Sequence, residues 1–190
     1  MRSVCNIYLA IFLLITCVFA NAKGESKSHN DLQKSEDLID AFYSFEKDRL
    51  EVALTFAQDS IPNVVFYQGW AKGGNYKIMK RQPCLAKKLD LISCSITVQD
   101  DLMLALGIDF NVTDTFEIKL SGSKIISVET SSNDLDVFWQ AREWVKKKYP
   151  ELIEAPCKGI WNGGPTPGKC IRAMVEGYSR FAKSDDFPKQ

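Results

Sequence analysis

Residues 107–132 read Gly107-Ile-Asp-Phe-Asn-Val-Thr-Asp-Thr-Phe-Glu-Ile-Lys-Leu120, then Ser121-Gly-Ser-Lys124, then Ile125-Ile-Ser-Val-Glu-Thr-Ser-Ser132. Ile108, Phe110, Val112, Phe116, Ile118 and Leu120 recur at every second position, and polar residues occupy the other row. A period of two over this length predicts a strand with one buried and one wet face. Ser121-Gly122-Ser123 supplies a reversal, and Ile126, Val128 and Thr130 continue the pattern into a second strand. Asp114 breaks the apolar row. A carboxylate there is costly unless it is paired or faces a wet cavity.

Working outward, Leu89–Val98 reads as a further strand, with Ile92, Cys94, Ile96 and Val98 on one side. Between it and the hairpin, Gln99–Gly107 reads as a helical turn that Asp100 can cap. Asn63–Gln68 is a short β-rich run and a candidate first strand. Gly69–Asn75 follows as a loop, and Tyr76–Arg81 as a short helix or turn. Upstream, Leu38, Ile39, Phe42 and Phe45, then Leu50, Ala53, Leu54 and Ala57, have helical spacing. They predict two helices, or one bent helix, from about Ser35 to Asp59, stopped by Ile61-Pro62. Downstream, Asn133-Asp134 is expected to cap a helix over Leu135–Tyr149 that Pro150 ends. A glycine- and proline-rich loop, Pro156–Gly168, precedes a last helix over Lys169–Ala182.

The chain therefore divides into a signal peptide (1–22), a flexible polar leader (23–36), a helix–sheet domain (37–132) and a C-terminal helical extension (133–184) within the same globular unit. The signal rests on Arg2, the uncharged run Ile7–Ala20 and the small-x-small site Ala20-Asn21-Ala22. That run is shorter than the roughly 20 residues a membrane span needs, so no stable membrane insertion is expected. Lys plus Arg and Asp plus Glu balance at 24 each. The balance gives no basic stripe for nucleic acid.

Cys84, Cys94, Cys157 and Cys170 remain after removal of the signal. An even count in a secreted chain reads as two disulfides. Three pairings are open; Cys84–Cys94 and Cys157–Cys170 are favoured because each closes a short local loop. Without any Cys-x-x-Cys pair, and with His29 as the only histidine, no metal site is expected. A Ser-His-Asp arrangement is excluded for the same reason.

Gly163–Cys170 nearly matches a phosphate-binding loop, but Cys170 replaces the metal-binding hydroxyl. Pro165 and Pro167 delete backbone donors. Nucleotide binding is rejected, and no cofactor is expected. Asn111-Val112-Thr113 is an N-glycosylation sequon, with Asn111 on the wet row.

Asp114 is the candidate catalytic residue, a general base whose pKa burial would raise. Tyr67, Trp70 and Tyr76 are candidates to line the same ligand-binding cavity. The competing reading pairs Asp114 with a lysine or arginine, or frees it by a bend in the strand.

The order of helices, strand, loop and three long strands, with Asp100–Ile118 followed by Lys124–Thr130, resembles the nuclear transport factor 2-like (SnoaL-like) superfamily over about residues 37–132. The resemblance implies an α+β fold in which N-terminal helices pack on a curved, mostly antiparallel sheet to form a cone. The helices after Leu135 are an extension beyond that minimal fold. Members include isomerases, dehydratases, polyketide cyclases and many non-catalytic binding modules. Its enzymes often place an Asp base and a Tyr or Asp donor inside the cone, which here implies Asp114 with Tyr67 or Tyr76.

The function expected is that of a secreted, non-catalytic protein that binds a small apolar ligand or an extracellular protein partner, such as an extracellular matrix component. A homodimer is compatible with it. The alternative is a cofactor-independent lyase or isomerase using Asp114 as base. A purely structural protein would have a filled cone.

Overall fold

The computed structural model describes residues 29–160 and 165–188. The expected signal peptide and residues 23–28 of the leader lie outside them. The fold is α+β, with helices and a five-stranded antiparallel sheet.

Helix α1 spans residues 29–43, so the latter part of the expected leader is helical. Leu32 extends the stripe of Leu38, Ile39 and Phe42 backward onto the core. Ser35, where the first helix was expected to begin, lies mid-helix and buried, its hydroxyl donating to the Asp31 carbonyl at 2.9 Å. The chain turns at Phe45, whose φ is +59°. Helix α2, Lys47–Ala53, then buries Leu50.

Helix α3, Ile61–Gly73, replaces the expected strand over Asn63–Gln68 and most of the loop after it. Pro62 opens this helix instead of stopping the previous one, as the first turn permits. Val64, Val65, Gln68 and Ala71 are its buried residues, a helical spacing. Buried Gln68 in the middle hid that stripe. Its amide donates to the Ala41 and Phe42 carbonyls at 3.1 and 2.9 Å, satisfying the end of α1.

Strand β1, Lys77–Arg81, stands where a short helix or turn was expected. It and β2, Leu85–Lys88, pair with successive parts of β3, Leu91–Gln99. Cys84, between them, is disulfide-bonded to Cys94 of β3. Arg81 binds Asp40 and Glu36 of α1, and the Cys84 N–H donates to Glu36 at 2.6 Å. Helix α4, Asp101–Ala105, is capped by Asp100, which accepts from the Met103 N–H at 2.8 Å.

The hairpin is strand β4, Val112–Ser121, and strand β5, Lys124–Ser132. Val112, Asp114, Phe116, Ile118 and Leu120 are buried, as the alternation predicts, whereas Ile108 and Phe110 precede the strand and are half-buried. A register shift beside Leu120 pairs it with Ile125, so Ile125 takes the core position and Ile126 is exposed.

Helix α5, Asp136–Lys148, begins without a side-chain cap. The expected cap residues bond elsewhere: Asn133 accepts from the Thr113 N–H at 2.6 Å, and Asp134 accepts from the Ser132 hydroxyl at 2.5 Å. Pro150 opens a short helix α6, Pro150–Ile153. Helix α7, Gly168–Ala182, starts at Cys170's disulfide to Cys157 and buries Ile171, Met174, Tyr178 and Phe181. A β-carbon on Gly177 would lie 2.5 Å from Val145, and one on Gly69 would lie 2.4 Å from the Thr166 nitrogen. These contacts let the C-terminal segment seat directly on α5 and α3. One apolar cluster joins it to the sheet and N-terminal helices.

Candidate functional site

Asp114 points from β4 into the space between the sheet, α1 and α3, across from Ile96 of β3. It is completely buried. Tyr43, the last residue of α1, donates its hydroxyl to Oδ2 at 2.7 Å, and Tyr67 of α3 donates to Oδ1. Tyr76, just before β1, is buried close by, its phenol held well above the ordinary value by burial and by the charges of Asp114, Asp100 and Asp134. Phe42 packs edge-on to Phe116 at 4.9 Å and tilts over Tyr67 at 5.4 Å, closing the niche with rings.

Burial pushes the Asp114 carboxyl up to about 6, against the pull of the Tyr67 and Tyr43 hydroxyls and with help from the charges of Asp134 and Asp100. Burial also drives both tyrosines far above the ordinary phenol value, so they remain donors. Neither the expected ion pair nor an escape by bending occurs: two neutral hydroxyls satisfy the carboxylate. Tyr43 was missed because nothing in its spacing links it to a partner 71 residues away.

Tyr67, Trp70 and Tyr76 do share a cavity, and Asp114 lies behind its wall. The cleft has a volume of about 180 Å³ and lies between α3, the end of β5 and α5. Phe66, Tyr67, Trp70, Tyr76, Phe138 and Trp139 give it aromatic walls; Thr130, Ser131, Ser132, Asp134 and Arg142 add polar atoms. The helical course of α3 places Phe66, Tyr67 and Trp70 here, and α5 contributes Phe138, Trp139 and Arg142. Trp139 is 45% exposed, and the Arg142 guanidinium lies 4.9 Å from its ring. Arg142 also reaches Glu143 at 3.3 Å.

Burial raises the Asp134 carboxyl, opposed by the Ser132 hydrogen bond. Asp100 behaves likewise: burial lifts it to about 6, against the Met103 and Leu102 N–H groups. Sequence reading missed the α5 half of the cleft, because Phe138 fits an ordinary core stripe and Asp134 resembles a helix cap.

Asn111 is half-buried and immediately precedes β4. The degraded phosphate-binding motif lies partly outside the described residues. No group of three or more metal-binding side chains occurs among the described residues. None of their helices is long and apolar enough to cross a membrane. Comparison with family models, with curated proteins and with solved structures finds no match.

Proposed function

We propose that this chain is a secreted, non-catalytic binding protein of nuclear transport factor 2-like fold, which holds a small apolar ligand in the cleft of Tyr67, Trp70 and Tyr76. The observation that carries the reading is the separation of cleft from carboxylate. The aromatic walls are open to a ligand, while Asp114 is sealed behind them with both oxygens occupied. A general base must come within hydrogen-bond reach of the proton it takes. Asp114 has no such access, which disfavours the lyase or isomerase alternative. The long β4–β5 hairpin packed over α1 and α3 supports the fold, and the two disulfides support an extracellular setting. A glycan on Asn111 belongs to the same proposal.

The test is titration with 2-phenylethanol, followed by tryptophan fluorescence. Saturable quenching is expected, with Trp70→Ala weakening affinity by about tenfold or more, the scale of one lost aromatic contact. Asp114→Asn is expected to leave the affinity within about twofold, because the carboxylate is outside the cleft. Absence of saturable binding, or indifference to Trp70→Ala, would sink the reading.

A further inference from the structure

We propose that this cleft selects organic cations: small amines whose ammonium faces Asp134 and Tyr76 while an aromatic or compact apolar body lies against Trp70 and Phe138. The proposal rests on the cleft being a binding site and adds the sign of its ligand.

Three aspartates bear on the cleft. Asp134 is in its lining, while Asp100 and Asp114 are buried and outside the lining. The charges of all three are felt at Tyr76, itself a wall residue. Among the described residues no lysine or arginine forms an ion pair with any of them. Asp134 accepts the Ser132 hydroxyl on Oδ2, and among the described residues Oδ1 accepts no hydrogen bond. An acceptor thus remains for a donor entering the cleft. Ser131, Ser132 and Thr130 offer further hydroxyl oxygens to an ammonium, which has only donors.

The walls point the same way. Aromatic faces attract a cation through their quadrupole and reject a carboxylate. Among the described residues Arg142 is the one basic residue in the lining; it lies over Trp139 and shares Glu143 with Lys146, so its charge is partly offset. The volume of about 180 Å³ is below the roughly 300–1,000 Å³ of pockets for drug-sized molecules. A single ring with a short amine arm fits that limit.

The experiment compares phenethylamine, 2-phenylethanol and phenylacetate, which share a ring and differ in charge. Each is titrated into the secreted protein, with tryptophan fluorescence and calorimetry as readouts. Phenethylamine is expected to bind at least about fivefold more tightly than 2-phenylethanol, in line with a cation over aromatic faces, and phenylacetate least tightly. In Asp134→Asn the amine-to-alcohol ratio should fall toward one while the alcohol still binds. The wild-type ranking needs no variant and stands as a test even where that substitution impairs folding. Equal binding of amine and alcohol overturns the charge selectivity and leaves the binding site intact. Tightest binding of phenylacetate assigns the polarity to Arg142 and overturns the proposal. Failure of all three ligands to bind removes the binding reading and this proposal with it.

Discussion

The niche around Asp114 and the cleft beside it share the wall of Tyr67 and Tyr76, and both combine aromatic rings with a carboxylate. In the niche, Phe42, Phe116 and Tyr43 form a second layer that closes over the acid. In the cleft no such layer covers Asp134 among the described residues, and Trp139 remains partly exposed. The same residue types thus become structure or a site according to whether a further element packs on top. Residue chemistry alone does not separate the two; the path of α1, which ends at Tyr43, does.

The largest effect expected from breaking this contrast is on stability. Phe116→Ala should cost about 3–5 kcal/mol, the usual range for truncating a buried phenylalanine, measured by urea unfolding. Trp139→Ala, on the cleft side, should cost less than about 1 kcal/mol because the ring is already half in water. Equal losses at the two sites would erase the distinction between niche and cleft.

Next in size is the pH dependence. The folded Asp114 carboxyl keeps its proton to about pH 6, against an ordinary value of 3.8. Between these values the folded state binds more protons than the unfolded chain, so stability falls as pH rises from about 4 to 6. Asp100 contributes in the same direction. Asp114→Asn should remove its share, making the loss over that interval smaller by about 2 kcal/mol. Unfolding curves at pH 4 and pH 7 for both proteins measure it. An unchanged pH slope would mean the carboxyl titrates normally.

Comparable in size is Tyr67→Phe, which leaves Asp114 Oδ1 without its donor and should cost about 1–3 kcal/mol above pH 6. Below about pH 4, where the acid is neutral, the cost should shrink. A cost that does not vary with pH would show that the hydroxyl is not serving the charged carboxylate.

The hairpin and the last two long helices were legible because their faces repeat with a clean period. Asp114 stood out for the same reason, as a charge in an apolar row. The region from Ile61 to Arg81 was misread because Val64, Val65, Phe66 and Tyr67 favour strands locally, yet the core they meet requires a helix. Gln68 concealed the helical stripe, since its partners are carbonyls of α1, distant in sequence. Tyr43 and the α5 side of the cleft depend wholly on tertiary packing, which no local pattern carries. The disulfide pairs needed only proximity along the chain, and both occur as expected.

Helix α1 is held from several directions: by Asp114 at Tyr43, by Gln68 at its final carbonyls, and by Arg81 and the Cys84 N–H at Glu36 and Asp40. Proteolytic trimming up to residue 28 leaves every one of these anchors in place. Cutting past Glu36 would remove its bonds to Arg81 and the Cys84 N–H and leave Asp40 to hold Arg81 alone, loosening the edge of the sheet. Within α1, the sequence on which the sheet margin depends therefore begins two residues before the fully buried Leu38.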